Sequence, residues 1–166
     1  GGVVSAADTG ALDSYIWLKT CQWHPSGQWA YVGGIGGNIY KYYASNDTVC
    51  EMGGLPPVSA DIRDISFDNQ GWKGFVVCKD YVNKDILFYD NGTLTSMDHP
   101  DPDRAFYSVS WSKEGDYAIF GGGAGIVYRW DEGGFVNVTS SLSGFGVVEA
   151  IEYLPDKGYY VLGGSF

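Results

Sequence analysis

A six-residue pattern occurs four times along the chain, and this repetition restricts the possible folds more than any other feature. Aligned without gaps, the four segments share apolar residues at the first and fourth positions, a short residue at the third and an aromatic residue at the sixth. The segments begin at Leu18, Ile62, Phe106 and Val148, and their aromatic residues are Trp23, Phe67, Trp111 and Tyr153, at spacings of 44, 44 and 42 residues. Such regular spacing indicates a repeat protein, in which each copy is one supersecondary unit.

Each segment is followed by a turn sequence that ends in glycine and then by a second apolar run. In three copies the second run ends in a glycine pair that begins at Gly33, Gly121 or Gly163, and we expect a close backbone approach there. A third apolar run and a more polar fourth run follow in the first three copies. One repeat therefore predicts four short strands joined by turns.

Four antiparallel strands per repeat predict an all-β chain that forms a β-propeller of four-stranded blades. We expect a single domain over residues 1–166, with copies near 18–60, 61–104, 105–147 and a partial or split fourth copy at 148–166. Residues 1–17 are candidates to complete the fourth blade. A closed four-blade ring, two chains that self-associate through split blades, and an arc of a longer propeller all remain open.

The third copy, from Val109 to Asp131, resembles the strand–turn–strand core of the WD-repeat propellers, with Trp130-Asp131 at the place of the signature dipeptide. The chain departs from that family because it has no Gly-His pair. Gly36-Gly37 and Ala124-Gly125 also stand where the family has an aspartate in the second turn. The resemblance therefore implies a divergent WD-repeat-like propeller without the buried Asp–His network of that family.

Charge and composition exclude several classes of partner. A formal net charge of −10 argues against nucleic acid and anionic lipid, because phosphate groups would be repelled. No apolar run is long enough to cross a bilayer, so we expect no membrane insertion. The three cysteines, Cys21, Cys50 and Cys78, have no paired spacing and are expected to be buried free thiols.

Catalytic and metal-binding patterns are absent from the sequence. His24 and His99 both lie beside proline in turns, where exposure to solvent is expected, and no third metal ligand stands at a suitable spacing. The acidic loops at 98–103 and 8–13 do not match a calcium-binding loop. The glycine-rich stretch 33–37 opens no helix that could hold a phosphate. We therefore predict no catalytic residue, no metal and no cofactor.

Three Asn-x-Thr sequons, at Asn46, Asn91 and Asn137, fall at or near the predicted fourth strands. Such sequons are acceptors for N-linked glycans on exposed segments. They favour an extracytoplasmic location.

The loops that break the repeat are the candidate contact surface. We single out Lys79, Asp80, Tyr81, Asp101, Asp103 and Arg104 as candidate binding residues. An aromatic residue beside charges suits an interface, and loops on a rigid scaffold commonly carry recognition. The pattern favours a non-enzymatic binding or scaffold module with a protein or glycan partner.

The rival hypothesis is a carbohydrate-binding or glycoside-processing propeller. It would use Trp72 or Trp17 as an exposed stacking platform, whereas the remaining repeat tryptophans (Trp23, Trp111 and Trp130) are expected in the core.

Overall fold

The computed structural model describes residues 17–52, 60–79, 86–139 and 146–165, and in these each copy of the repeat forms one β-sheet. Three sheets have four antiparallel strands in chain order, and the fourth sheet has two. Sheet 1 contains β1 (Leu18–Trp23), β2 (Trp29–Gly34), β3 (Ile39–Tyr43) and β4 (Thr48–Glu51). Sheet 2 contains β5 (Ile62–Phe67), β6 (Lys73–Cys78), β7 (Ile86–Asp90) and β8 (Thr93–Met97). Sheet 3 contains β9 (Phe106–Trp111), β10 (Ala118–Gly122), β11 (Val127–Asp131) and β12 (Gly134–Asn137), and sheet 4 contains β13 (Val147–Leu154) and β14 (Tyr159–Ser165).

The prediction of an all-β chain built from four-stranded antiparallel units is confirmed for the first three copies. Each six-residue segment lies within the first strand of its sheet. In the described ranges the helical structure is limited to 3₁₀ geometry, at Ile35–Gly37 and at Thr139.

The turn between the first and second strands contains a glycine of positive φ in every sheet, four residues after the aromatic residue of the segment in sheets 1 to 3 and five residues after it in sheet 4. Gly27, Gly71, Gly115 and Gly158 have φ values of 68°, 75°, 78° and 70°, a region that glycine adopts without strain. In sheet 2, Asp68 Oδ1 also accepts a hydrogen bond from Trp72 N at 2.9 Å. The Ser112 hydroxyl does the same for Asp116 N at 3.2 Å in sheet 3. The turn chemistry predicted from the sequence is therefore observed.

The sheets pack in series, with the first strand of each sheet against the first strand of the next. Between sheets 2 and 3, Phe75 and Val77 of β6 share one apolar cluster with the first, fourth and sixth residues of the segment in β9, and the Phe75 ring stacks on Trp111. Equivalent apolar clusters lie between sheets 1 and 2 and between sheets 3 and 4. Burial of each of these side chains stabilises the fold by roughly 1.5–3 kcal/mol, so the interfaces between sheets are the core.

The glycine pairs allow this close packing. A Cβ atom on Gly33 would collide with the Ile62 side chain of the next sheet, and one on Gly121 would collide with Val148. The second glycine of each pair, such as Gly122, faces a backbone carbonyl, here that of Ala105. The expected close approach is confirmed at these positions.

Two predictions about the core are wrong. The Trp23 side chain is 48% exposed, whereas Trp111 and Trp130 are buried as expected. Cys21 and Cys50 are exposed, and of the three cysteines Cys78 is buried. Trp23 and Cys21 lie on the face of sheet 1 that no preceding described sheet covers, and Cys50 lies on the edge strand β4.

The series of sheets is open in the described residues. β1 packs on β5, β5 on β9 and β9 on β13, but β13 and β1 do not pack on each other as these neighbours do. The predicted completion of the fourth copy by residues 1–17 falls, except for Trp17, outside the described ranges.

Candidate functional site

A β-bulge occurs at the same position in all four first strands. In each strand the register shifts between the first and third residues of the segment, so the second residue is the extra one. The bulge residues are Lys19, Arg63, Tyr107 and Glu149. A bulge re-aims the side chain it carries and commonly lies beside a functional site.

Three of the bulge residues belong to a connected group that we call the charged row: Lys19, Asp61, Arg63, Lys79 and Tyr107. The Lys19 ammonium lies 2.7 Å from Asp61 Oδ2, and the Arg63 guanidinium lies 4.0 Å from the same oxygen. Arg63 Nε also donates to Lys79 O at 3.4 Å. The row thus links side chains of sheets 1, 2 and 3 on one edge of the molecule.

Lys79 and Tyr107 form the centre of the charged row. The Lys79 ammonium donates a hydrogen bond to the Tyr107 hydroxyl and lies 4.3 Å from the centroid of its ring. The Arg63 guanidinium lies 5.9 Å from the same centroid. Two cations therefore flank one aromatic ring, an arrangement that cation–π attraction favours.

Asp61 neutralises part of the charge of the row. Burial acts to raise the pKa of Asp61, but the hydrogen bonds from Lys19 and the Gly36 amide, together with the Lys19 and Arg63 charges, hold it below its ordinary value. Asp61 is therefore ionised at neutral pH, and three cations with one carboxylate leave a net positive row on a chain of net charge −10.

The sequence-predicted binding residues fall into two places. Lys79 lies in the charged row, whereas Asp80 and Tyr81 fall outside the described residues. Asp101 and Arg104 pair with each other at 3.6 Å, and Asp101 Oδ1 accepts a hydrogen bond from Asp103 N at 3.3 Å. These three residues therefore stabilise their own loop, and no hydrogen bond or ion pair of the described ranges joins them to Lys79.

Sequence reasoning missed Lys19, Arg63 and Tyr107. The alignment drew on the first, third, fourth and sixth positions of the segment, and the second position varies between copies. The recurrence of long polar or aromatic side chains at that position was the available signal. Its meaning depends on the bulge, which is visible only in the strand register.

A second polar region is lined by residues of all four first strands. It is a cavity of about 230 Å³ whose polar lining includes Gln22, Asp64, Ser66, Ser110 and Glu152. The groups here connect sheets: Asp64 Oδ2 accepts hydrogen bonds from Ser108 Oγ at 2.6 Å and from Val109 N at 2.9 Å.

The same kind of bond occurs between sheets 2 and 3 and between sheets 3 and 4. Side-chain oxygens at the third and fifth positions of one segment accept hydrogen bonds from the backbone amides at the fourth and sixth positions of the segment in the next sheet. Ser108 accepts from Ile151 N, Ser66 accepts from Trp111 N, and Ser110 accepts from Tyr153 N. We call this set, with the bond from Val109 N to Asp64, the axial ladder. Desolvation by burial raises the pKa of Asp64, although the Ser108 and backbone hydrogen bonds oppose it. Both carboxylate oxygens take bonds from the protein, so Asp64 serves the fold.

The histidines are more buried than the sequence predicted. His24 Nε2 donates to Gly71 O at 2.8 Å, and its ring stacks on Trp29 at 4.2 Å. His99 stacks on Phe106 at 4.5 Å, and its Nδ1 accepts a hydrogen bond from Asp101 N. Both rings are half-buried, so the expectation of solvent-exposed turn histidines is wrong. The aromatic neighbours supplied by each sheet explain the difference.

The three sequon asparagines are exposed. Asn46 lies between β3 and β4, Asn91 lies between β7 and β8, and Asn137 ends β12, so all three are far from the first strands in their sheets. Trp72 and Trp17 are exposed as predicted, with Trp72 at 64%.

No protein-family model matches the chain, and a search of curated proteins finds no relative. The functional interpretation therefore rests on the geometry described above. Over the described ranges, three or more His, Cys, Asp or Glu side chains nowhere come together as a metal site would require. Within the same ranges, no helix has the length and apolar character needed to span a membrane.

Proposed function

We propose that the chain is a non-enzymatic binding module with β-propeller architecture, and that it binds an anionic segment of a protein partner at the charged row. The observation that carries the proposal is the bulge repeated in all four first strands, which gathers Lys19, Arg63 and Tyr107 beside Lys79 on one edge.

The propeller architecture is supported by the serial packing of the first strands. It is supported further by the equivalent apolar clusters between neighbouring sheets and by the axial ladder. A radial series of sheets leaves the ends of the first strands on one face of the molecule, where loops and bulges present side chains to a partner.

The chemistry of the row favours a carboxylate-bearing ligand. Tyr107 offers a flat ring and a hydroxyl, and Arg63 offers a planar donor that suits a carboxylate. Lys19, Arg63 and Lys79 are held in place by contacts within the row, so a ligand would not have to order them from free rotation. The net charge of −10 repels an anionic partner at long range, so the attraction acts close to the row, within about 8 Å, the Debye length at physiological salt.

Titration of the intact chain with fluorescent Asp- and Glu-rich peptides, each paired with a Gln- and Asn-substituted version, tests this function. We expect an acidic peptide to bind more tightly than its neutral version, with an affinity that falls as salt rises. Arg63→Ala should weaken binding about tenfold, which corresponds to about 1.4 kcal/mol. Lys113→Ala, at an exposed site in the β9–β10 turn, is the matched control. Equal affinity for both peptide versions, or equal loss in both variants, would contradict the proposal.

A second candidate function, carbohydrate recognition, is favoured by Trp72. Its indole is largely exposed, yet its backbone is held on both sides, by the bond from Trp72 N to Asp68 and by the bond from Asn91 N to Trp72 O at 2.7 Å. A rigid exposed aromatic ring is a suitable platform for a sugar ring. Glycan-array binding that Trp72→Ala abolishes and Val136→Ala preserves would support this function, whereas binding insensitive to Trp72→Ala would exclude it.

A further inference from the structure

The outer face of sheet 1 exposes residues whose equivalents are buried in sheets 2 and 3 and buried or half-buried in sheet 4. Leu18, Cys21 and Trp23 occupy the first, fourth and sixth positions of the segment, and all three are exposed. In sheet 3 the same positions hold Phe106, Val109 and Trp111, which are at most 5% exposed. Sheet 1 therefore presents one half of an interface that the chain forms three times internally.

Sheet 4 presents the other half of that interface. Tyr159 and Val161 of β14 are 52% and 47% exposed. Their equivalents in sheet 1 are Trp29 and Tyr31 of β2, which pack against the first strand of sheet 2. The face of sheet 4 that would contact a following sheet is apolar and, within the described residues, uncovered.

The two uncovered faces also carry the groups for a further bond of the axial ladder, an acceptor on sheet 4 and a donor on sheet 1. Glu152 stands at the fifth position of the segment in β13. At this position in sheets 2 and 3, Ser66 and Ser110 accept a hydrogen bond from the amide of the sixth residue in the next sheet. The Glu152 carboxylate makes no hydrogen bond with the described residues, and the residue is exposed. A carboxylate is a strong acceptor for a backbone amide.

The matching donor lies on β1. His24 N donates to Trp29 O at 2.9 Å, so the alternation of an antiparallel ladder turns the preceding amide, Trp23 N, away from β2. The equivalent amides of Trp111 and Tyr153 point away from their second strands and bond to the preceding sheet. Trp23 N is therefore placed to bond to a sheet that precedes sheet 1.

We propose that a second copy of this chain supplies the missing half of the interface: sheet 1 of one copy seats on the uncovered face of sheet 4 of another. In this head-to-tail contact, Leu18, Cys21 and Trp23 cover Tyr159 and Val161, and Glu152 accepts a hydrogen bond from Trp23 N. We assign this face to a second chain because every chain carries both faces of an apolar interface that its own sheets form three times. The contact is separate from the charged row, so it goes beyond the proposed binding function and can fail without it.

Light scattering coupled to size exclusion, applied to the intact chain over a range of concentrations, tests the proposal. We expect the mass to rise above that of one chain, and Trp23→Asp and Val161→Asp each to return the chain to a monomer. Val136→Asp, at an exposed site on β12, is the matched control and should leave association unchanged.

Mixing the two variants distinguishes a head-to-tail contact from a symmetric one. Trp23→Asp retains an intact sheet 4 face and Val161→Asp retains an intact sheet 1 face, so an equimolar mixture should form a pair that neither variant forms alone. Near-ultraviolet circular dichroism confirms that both variants fold. A wild-type chain that stays monomeric, or folded variants that fail to pair when mixed, would overturn the proposal.

A cysteine cross-link tests the contact without placing a charge in the interface. Cys21 is exposed on the sheet 1 face, and a Val161→Cys change places a thiol on the sheet 4 face. In a Cys50→Ser background with oxidised glutathione, we expect a disulfide between two chains, detected as a doubled mass on a non-reducing gel. Glutathionylated monomers without cross-linked dimers would count against the contact.

Discussion

Ser108 joins three sheets through one hydroxyl group: its Oγ donates to Asp64 Oδ2 at 2.6 Å and accepts from Ile151 N at 2.9 Å. The side chain is buried, so water does not replace either bond when one is lost. A short side chain with an oxygen at the third position is thereby explained in sheets 2 and 3, because the oxygen lies between two neighbouring first strands.

Replacing Ser108 should therefore destabilise the chain. Ser108→Ala leaves Ile151 N without its acceptor and Asp64 with one donor fewer, and we expect the free energy of unfolding to fall by about 1–3 kcal/mol. Urea denaturation followed by tryptophan fluorescence measures the change. Ser96→Ala, at an exposed site on β8, should stay within about 0.5 kcal/mol of wild type. An equal effect of both substitutions would show that the axial ladder contributes little.

Asp64 should make stability depend on pH. Burial raises its pKa in the folded chain above the ordinary value of 3.8, so the folded state holds the proton over the interval between the two values. The stability contributed by this group is complete below the ordinary value and is lost as pH rises through the folded value. The difference in unfolding free energy between wild type and Asp64→Asn should therefore decrease from pH 4 upward. A difference that is constant with pH would contradict the shift.

The glycine pairs allow a matched test of packing between sheets. Gly121→Ala places a methyl group against Val148 and Ile151, and overpacking of this kind costs about 1–3 kcal/mol. Gly163 is the equivalent glycine of sheet 4, where an added Cβ would meet only Ala150 at 3.8 Å. Thermal unfolding should show a lower Tm for Gly121→Ala and little change for Gly163→Ala. Similar Tm values for the two variants would mean that sheets 3 and 4 adjust without cost.

Glycosylation at the sequons is tested by secretion from a eukaryotic host. Because Asn46 and Asn91 lie in exposed turns, we expect the intact mass to exceed that of the polypeptide and to fall stepwise with Asn46→Gln and Asn91→Gln. Treatment with an amidase that removes N-linked glycans is the control. A secreted product with the bare polypeptide mass would remove the basis for an extracytoplasmic location.

The sheets could be predicted from the sequence because each sheet is specified by residues within its own copy of the repeat. Apolar residues at the first, fourth and sixth positions of the segment, glycine at the end of each turn and the glycine pairs each specify a feature of their own copy. Positions such as Phe67 and Trp111 are buried as their pattern requires, since a preceding sheet covers them.

The charged row and the exposure of Trp23 depend on relations between copies. Lys19 and Arg63 meet at Asp61 because bulges in two different strands direct them there, and a bulge has no residue signature of its own. Trp23 has the same pattern as Trp111, but the face it occupies lacks a preceding sheet in the described ranges. A repeat alignment treats all copies as equivalent and therefore does not separate the first copy from the third.

The direction of the axial ladder determines how a chain of this kind can lengthen in evolution. Between sheets 2 and 3 and between sheets 3 and 4 the donors of the axial ladder are main-chain amides, so a repeat with free amides can follow a copy that offers oxygens at its third and fifth positions. In-frame duplication of the third copy would preserve both bonds at the new junction, whereas the Ile65 amide of the second copy already bonds to Asp64 of its own strand. A unit added after the fourth copy would meet Ala150, which has no side-chain oxygen, and would retain only the bond to Glu152.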